Sequence, residues 1–341
     1  MPITIKDVAK AAGVSITTVS MVLNNTHYKI KEETKEKVRK AAEELGYVPN
    51  NLAKSLVTQK SNLIMLMVPN LSNPFFANLC EYIAKEFEKR DYTLFIYQTL
   101  GKKITIEKFS SIMDANFMAG CLIVDRSVRD FKEELHRKYK IVLLDEIDYS
   151  KDKCLMVTGD NEKGGYLAMS YLLDRGHRKI GIVAGPKDTA NSSRRIAGAL
   201  GAVMERDVHF DSDCLVHGNY NYEGGREAYD YLEDKDITAV FCFNDLSAFG
   251  FINRAQEKGR KIPEDLSVIG YDNLTINTII EPKLTTIDQH LEKIAKLGVD
   301  ILIEHIENRE IKKKRHLITP DLCIGKTVEG GPYENTEYGI S

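Results

Sequence analysis

The sequence predicts an α-helical helix-turn-helix head followed by an α/β body of two doubly wound parallel-sheet subdomains. Two short amphipathic helices meet at a glycine near the N-terminus. Apolar β-runs then alternate with helical segments along the body, and this alternation restarts about halfway. Apolar strands that alternate with helices are typical of parallel sheets covered by helices on both faces.

Length and composition indicate a soluble protein of two or three domains with a large core, since the chain has 341 residues of which 43% are hydrophobic. No run approaches the roughly 18 apolar residues of a membrane span, and the N-terminus lacks the apolar stretch of a signal peptide. The six cysteines stand singly, without a CxxC pair or a histidine at metal spacing. We therefore expect reduced thiols in a cytoplasmic protein, with no disulfide, metal site or cofactor.

The net charge of −3 conceals an asymmetry between the two ends of the chain. Residues 1–60 carry ten basic and six acidic residues, a net charge of +4, whereas the remainder carries 37 basic and 44 acidic residues, a net charge of −7. A basic end on an acidic body is typical of a protein in which only one domain meets a polyanion.

The first sixty residues predict three helices and a linker. Thr4 and Asp7 are spaced to cap the first helix, Gly13 supplies the turn, and Ser15 is placed to cap the second helix. The third helix covers "KEETKEKVRKAAEELG". The residues expected to face the core of this head are Val8, Ala9, Ala12, Val19, Val22, Leu23, Val38, Ala41, Ala42 and Leu45. Any three-helix domain remains an alternative at this point.

The next segment, "YVPNNLAKSLVTQKS", predicts a brief helix that Asn50 caps after Pro49 ends the preceding one. So short a helix is marginally stable alone, because nucleation is costly and few hydrogen bonds follow. The segment is therefore either a linker that folds only when its partner is present or an inert connector.

The stretch "TIKDVAKAAGVSITTVSMVLNN…EETKEKVRKAAEELGYVPNNLAKSL" resembles the DNA-binding head and hinge of LacI/GalR-family transcription regulators. This resemblance implies a homodimer that binds a near-palindromic operator with recognition helices in the major grooves. It also implies paired hinge helices in the central minor groove, where Leu56 matches a leucine that wedges between base steps. The DNA-binding residues that it implies are Ile16, Thr17, Thr18, Ser20, Met21, Asn25, Asn50, Ala53, Lys54 and Leu56.

Met21 departs from the family pattern, because many members carry arginine at this position. Arginine is the commonest bidentate partner of guanine, whereas methionine offers only apolar contact, for example with a thymine methyl group. We expect the second helix to read DNA through Ile16, Thr17 and Met21, with less dependence on guanine. The alternative is that Met21 packs on the head and reads nothing.

The ends of the predicted strands supply the candidate ligand residues, because ligands of open α/β sheets bind outside the carboxyl ends of the strands. Aromatic rings, amides and carboxylates at these ends suit a polyhydroxylated or heteroaromatic ligand. The predicted effector-binding residues are Phe75, Phe76, Asp160, Arg195, Tyr220, Asn244 and Asp272. Phe75 and Phe76 as core residues, and Asp160 as a helix cap, are the alternative interpretations.

The body resembles the periplasmic-binding-protein-like effector domain of the same family through "LSNPFF", "DNEKGG", "RGHRKIGIVAGP", "FCFNDLSAFG", "IPEDLSVIGYDN" and "PKLTTID". The resemblance places the family's frequent sugar-binding arginine at Ser193, while Arg195 keeps a basic group found in some members. Gly325 stands where many members have arginine. The domains expected are a head at 1–47, a hinge and linker at 48–60, an N-subdomain at 61–158 plus 288–325, a C-subdomain at 159–287 and a loose tail at 326–341.

These features together predict a transcription regulator that binds operator DNA and a small-molecule effector such as a sugar or a related metabolite. We expect it to act as a repressor. A solute-binding receptor without DNA function is the alternative, and residues 1–56 argue against it. An enzyme is not expected, since no GxGxxG loop follows an apolar strand and no serine or cysteine has a partner base at a suitable spacing. The sequence does not decide between a dimer and a tetramer.

Overall fold

The computed structural model describes residues 3–23, 30–47, 61–126, 131–145 and 154–333. The chain divides into two compact units, Met1–Ser61 and Asn62–Ser341, which we call the head and the body.

The head consists of three helices, α1 (Ile5–Ala12), α2 (Ile16–Leu23) and α3 (Glu32–Glu44). At the start of α1, the backbone N–H and the hydroxyl of Thr4 both donate to the Asp7 carboxylate, at 2.9 and 2.7 Å. Gly13 ends α1 with a φ of 65°, a left-handed conformation that glycine adopts without steric cost. The predicted turn between the first two helices is therefore confirmed.

The core of the head is small and aliphatic. Each helix contributes buried residues to it, and these are Val8, Ala9, Val19, Val22, Val38, Ala41 and Ala42. In α2 and α3 these residues are three or four positions apart, which places them on one face of each helix, as the sequence pattern predicts. The alanines let the helices approach closely.

The first sheet of the body has six parallel strands covered by helices. The strands are β1 (Leu63–Val68), β2 (Thr93–Gln98), β3 (Gly120–Ile123), β4 (Ile141–Leu144), β5 (Leu155–Gly159) and β11 (Arg315–Ile318), in the order β11-β5-β4-β3-β1-β2. The helices are α4 (Pro74–Glu88), α5 (Ile106–Ala115), α6 (Glu133–Lys138) and α11 (Leu291–Ile306). The apolar runs of β1, β3 and β4 are buried, as expected of central parallel strands.

The second sheet also has six strands, five of them parallel. They are β6 (Ile180–Ala184), β7 (Leu215–His217), β8 (Ala239–Cys242), β9 (Ser267–Asp272), β10 (Thr285–Asp288) and β12 (Asp321–Cys323), in the order β12-β10-β9-β8-β6-β7. Its helices are α7 (Asn161–Asp174), α8 (Ala190–Glu205), α9 (Tyr222–Leu232) and α10 (Asp245–Glu257). The predicted pair of doubly wound subdomains is confirmed.

The C-terminal part of the chain corrects the predicted boundaries. Helix α11 and β11 complete the first subdomain, but β12 pairs antiparallel with β10 of the second, so residues 321–323 do not belong to the N-subdomain. Residues 326–333 are not a loose tail either. The hydroxyl of Thr327 donates to the Val268 carbonyl at 2.7 Å, and the Gly331 N–H donates to the Arg175 carbonyl at 2.7 Å. Residues 334–341 lie outside the described part of the chain.

Gly325, where the resemblance expects arginine, lies against backbone. A side chain at this position would overlap the carbonyl oxygen of Lys283, and the Gly325 N–H donates to the Thr285 hydroxyl at 3.0 Å. This close approach of two backbone segments leaves no room for a side chain, so the departure from the family pattern is part of how β10 is fastened.

Candidate functional site

The outer face of α2 in the head carries the predicted reading residues. Ile16 is 44% exposed, Thr17 is exposed, and Ser20 and Met21 are half-buried. This face offers a methyl-rich and hydroxyl-bearing surface without a basic side chain. It fits the sequence prediction of a recognition helix that does not depend on an arginine.

Thr18 also takes part in the N-terminal cap of α2. The Ser15 hydroxyl oxygen accepts from the Thr18 N–H at 3.1 Å and lies 2.8 Å from the Thr18 hydroxyl. These contacts fix the start of the helix. The remaining predicted DNA-binding residues lie outside the described residues, and these are Asn25, Asn50, Ala53, Lys54 and Leu56.

A cavity of about 410 Å³ lies between the two subdomains of the body. Its lining comes largely from segments that follow the carboxyl ends of strands in both sheets, including the segments after β1, β3, β4, β6 and β9. Six of the seven predicted effector residues line this cavity, namely Phe75, Phe76, Arg195, Tyr220, Asn244 and Asp272.

Phe75 and Phe76 form an aromatic wall at the start of α4. The Asn73 side chain accepts from the Phe75 N–H at 3.0 Å, and Pro74 occupies the first position of the helix. The two rings meet edge to face, with centroids 5.2 Å apart. Helix capping thus holds both rings at the mouth of the cavity, where they are half-buried.

Arg195 supplies a buried cation from α8. Its Nε donates to the Asn161 side chain at 2.8 Å, one Nη donates to the Phe243 carbonyl, and its guanidinium lies 3.6 Å from the centroid of the Tyr271 ring. Burial lowers the pKa of Arg195, but the neighbouring tyrosines and Asp272 raise it, and the net shift is upward. The side chain therefore presents a fixed positive charge to the cavity.

Asp272 ends β9 and faces the same space. Its Oδ1 accepts from the Gln289 Nε2 at 2.6 Å, and its backbone has a φ of 119°. The pKa of this carboxyl lies well above its ordinary value, because burial outweighs the lowering effect of the Arg195 guanidinium. The pairing of a buried cation with a buried carboxyl creates a site that donates and accepts hydrogen bonds at neighbouring points.

Tyr220 and Asn244 are coupled to each other. The Asn244 side chain caps α10 by accepting from the Ser247 N–H at 3.1 Å, and its Nδ2 donates to the Tyr220 carbonyl at 2.9 Å. The Tyr220 hydroxyl donates to the Asn191 Oδ1 at 3.1 Å. Asn244 therefore positions the Tyr220 loop as well as lining the cavity.

Asp160 does not line this cavity, which corrects the sequence prediction. It caps α7, because its Oδ1 accepts from the Lys163 N–H at 3.0 Å. Ser193, where the resemblance placed the sugar-binding arginine, also lies outside the lining, and its hydroxyl donates to the Thr189 carbonyl at 3.1 Å. Arg195 is the arginine that lines the cavity.

Asp125 and Asp145 line the cavity but were missed from the sequence. The runs "CLIVD" and "KIVLLD" place them directly after β3 and β4, so the rule that located Asp272 also applies to them. Asp125 is buried and accepts from the Thr99 hydroxyl. With Asp188 and Asp272, they give the cavity four carboxyl groups beside the buried Arg195 guanidinium.

Contacts across the cleft join the two subdomains. Arg126 forms an ion pair with Asp188 at 3.0 Å, and the Asn78 Nδ2 donates to the Thr275 hydroxyl at 3.0 Å. The first of these contacts closes over the cavity, since both residues line it. The structure therefore shows the subdomains in direct contact around the cavity.

Two features that would indicate other classes of function are absent from the described residues. No helix there is long and apolar enough to cross a bilayer. Nor does that part of the chain contain a cluster of three or more histidine, cysteine, aspartate or glutamate residues arranged to hold a metal ion.

Comparisons with known proteins agree with this architecture. The family model of bacterial regulatory proteins of the lacI family matches residues 4–50, and that of the periplasmic binding protein-like domain matches residues 169–328. The HTH-type transcriptional repressor PurR of Vibrio atlanticus is 34% identical over 330 residues, which cover 96% of this chain and 98% of the relative.

Solved structures give the same result for the fold. The Lac repressor dimer bound to operator and the anti-inducer ONPF is similar with a TM-score of 0.84 and 24% identity, covering 96% of this chain and 100% of that one. A LacI family transcriptional regulator from Enterococcus faecium with bound ribose has a TM-score of 0.69 and 26% identity, covering 79% of this chain and 99% of that one.

Proposed function

The chain belongs to the LacI family of bacterial regulatory proteins, and on that premise we propose that it is a transcriptional repressor controlled by a small-molecule effector. It binds a near-palindromic operator as a homodimer in the cytoplasm and is not an enzyme. The observation that carries this proposal is the combination of a head with an open recognition helix and a body with a built ligand cavity.

In the DNA complex, α2 enters the major groove and presents Ile16, Thr17 and Met21 to base edges. Methyl-bearing side chains contact the thymine methyl group, and the Thr17 hydroxyl donates to or accepts from a base edge. Thr18 and Ser20 contact phosphates, which position the helix without specifying sequence. Asn25 and the hinge residues Asn50, Ala53, Lys54 and Leu56 keep the roles that the family resemblance implies.

The cavity favours a neutral, polyhydroxylated effector such as a sugar or a related metabolite. Hydroxyl groups can donate to the carboxyl groups of Asp125, Asp145 and Asp272 and accept from Arg195, while the rings of Phe75 and Phe76 cover an apolar face. The lining also carries Lys103, Arg126 and Asp188, so its basic and acidic side chains nearly balance, which suits a neutral compound. The ribose-bound regulator from Enterococcus faecium supports this class of ligand.

The position of the cavity between the subdomains allows effector binding to be coupled to operator binding. A ligand that contacts both subdomains favours one arrangement of them, and the hinge follows that arrangement because it is continuous with β1. A change of about 1.4 kcal/mol in the balance between the two states alters operator affinity tenfold.

Selection of binding sites from random duplexes, with purified full-length protein at fixed salt, tests the proposal. We expect enrichment of a near-palindrome with a flexible central step and half-sites rich in thymine opposite Met21. The Met21→Arg variant should shift one half-site position toward guanine, by about 1–3 kcal/mol of discrimination. If neither the wild-type protein nor this variant enriches a palindrome, with or without metabolite pools, the proposal is wrong.

A further inference from the structure

One edge of the first sheet is distinguished by where the chain enters it. All six strands of that sheet are parallel, and their carboxyl ends point toward the cavity, so their amino ends form the edge farthest from it. The chain that leaves the head enters the body at this edge, through Ser61 and Asn62 at the start of β1.

The same edge carries a concentrated positive charge. Lys312, Lys313, Lys314 and Arg315 form an exposed run at the start of β11. Lys138 and Lys140 immediately precede β4, which is two strands away from β11, roughly 10 Å across the sheet. We call these six residues the basic edge.

A direct contact joins the two parts of the basic edge. The Lys140 Nζ donates to the Asn308 Oδ1 at 2.7 Å, which fastens the turn before β4 to the connection that leads into β11. The lysines on both segments thus belong to one continuous surface, held by the sheet beneath it.

The three lysines before β11 are not neutralised by ion pairs within the part of the chain that the structure describes. Over residues 3–23, 30–47, 61–126, 131–145 and 154–333, no carboxylate forms an ion pair with the ammonium groups of Lys312, Lys313 or Lys314, although Glu307 nearby pairs with Arg309. The Lys138 Nζ donates to the Tyr139 hydroxyl at 2.8 Å, and its contact with the exposed Asp114 is long, at 3.8 Å. Residues 61–341 carry a net charge of −7, so the charge of the basic edge is opposite in sign to the net charge of the body.

We propose that the basic edge binds the phosphates of DNA that flanks the operator. This inference rests on the proposed function, because the head must bring the DNA. Lysines on flexible stems suit contacts that depend on charge and not on sequence, and a duplex presents one negative charge per ~1.7 Å of its axis. An acidic protein is the competing occupant of such a surface.

The length of the connecting chain makes this contact possible. Thirteen residues, 48–60, lie between Tyr47, which follows the third helix of the head, and Ser61. Fully extended, such a segment spans at most roughly 45 Å, about the length of 13 base pairs. The amino edge of the second sheet lies on the other side of the cavity, so it is the end of the body farther from this connection.

The test compares two duplexes that contain the selected operator, one trimmed to the site and one with about 25 extra base pairs on each side. Full-length wild-type protein is compared with the triple variant Lys312→Gln/Lys313→Gln/Lys314→Gln. The control is Lys258→Gln/Arg260→Gln/Lys261→Gln, which removes the same charge from exposed residues at the amino edge of the second sheet. Affinity is measured by fluorescence anisotropy at several salt concentrations.

We expect wild type and the control to bind the long duplex about tenfold more tightly than the short one, and the Lys312–Lys314 variant to lose this gain. The slope of log affinity against log salt on the long duplex should fall by about 1 for each lysine that contacts a phosphate. All three proteins should bind the short duplex alike.

A Lys312–Lys314 variant that keeps both the wild-type gain and the wild-type slope would overturn this inference and leave the surface to an acidic protein. Operator binding on the short duplex would then still support the proposed function. Failure of the wild-type protein to bind either duplex would overturn the proposed function and this inference with it.

Discussion

At the scale of single residues, a substitution of Asp272 tests whether the cavity binds the effector. The variant Asp272→Asn replaces a carboxyl by an amide of the same shape, and asparagine tolerates a positive φ better than most residues. Because the amide cannot accept hydrogen bonds at both positions, we expect effector affinity to fall about tenfold, which corresponds to the loss of roughly one hydrogen bond. Operator affinity without effector should be unchanged.

Isothermal titration with the identified effector measures this loss, and Asp160→Asn is the matched control. Asp160 also follows a strand, but it caps α7 outside the cavity, so its variant should bind effector normally. Equal losses in the two variants would show that the Asp272 effect comes from general destabilisation and not from ligand contact.

The burial of His136 predicts that the stability of the protein depends on pH. Burial lowers the pKa of this side chain from 6.5 to about 4, with Glu133 opposing the shift and His305 adding to it. The unfolded chain therefore binds the proton first as the pH falls below 6.5. Stability present above pH 6.5 is lost progressively toward pH 4, by up to about 3 kcal/mol.

Denaturant unfolding at pH 7, 6, 5 and 4 checks this prediction through the slope of the unfolding free energy against pH. The slope should flatten in His136→Gln whatever its stability at pH 7, whereas His209→Gln, which changes an exposed histidine, should keep the wild-type slope. Parallel slopes in all three proteins would contradict the assignment to His136.

At the scale of elements, the contact between α7 and α8 depends on glycine. A methyl group on Gly198 of α8 would overlap the Glu162 carbonyl of α7, and one on Gly165 would overlap the Arg195 carbonyl. We expect Gly198→Ala to lower the free energy of unfolding by about 1–3 kcal/mol through overpacking. Effector affinity should fall too, because Arg195 on α8 donates to Asn161 on α7.

Gly201 provides the control within the same helix, since nothing lies within 4 Å of a methyl group at that position. Gly201→Ala should be neutral or stabilising by up to about 1 kcal/mol, because alanine is the better helix former. Thermal unfolding of both variants measures the difference. Equal stabilities would mean that the helices separate without cost and that the glycine contact is not needed.

Elements were predicted from sequence more completely than their connections. The runs that became β1 to β9 are apolar and flanked by turn residues, so their periodicity identifies them. The short β12 was assigned to the wrong subdomain, because "HLITPDLCI" carries no signal for which sheet each half joins. The role of Asp160, at the end of a strand, could not be predicted from the sequence either. A carboxylate there either caps the next helix or faces the ligand, and only the path of the chain after the strand distinguishes the two.

At the scale of the whole molecule, exposed apolar side chains mark the surface expected to form the dimer. Ile279 is 81% exposed just after the 3-10 helix Thr275–Thr278, and Phe95 and Ile96 are exposed on β2, the edge strand of the first sheet. Large apolar groups on an edge strand are a liability unless a partner covers them. We therefore expect both subdomains to contribute to the interface.

This placement connects the dimer to the cavity. The Asn78 Nδ2 on α4 donates to the Thr275 hydroxyl beside Ile279, so the contact that joins the subdomains lies next to the expected interface. A ligand that changes the arrangement of the subdomains would also change the surface that the partner covers. We expect this coupling to transmit effector binding to the pair of heads.

Ile279→Asp should therefore convert the dimer to a monomer, because a carboxylate would be desolvated in the interface without a partner. Sedimentation velocity measures the assembly, and operator affinity should fall at least a hundredfold, since a monomer holds only one half-site. Met204→Asp is the control, because Met204 is 79% exposed on α8 and takes no part in the Asn78–Thr275 contact. A dimeric Ile279→Asp protein with normal operator affinity would place the interface elsewhere, and the link between cavity and heads would then need a different route.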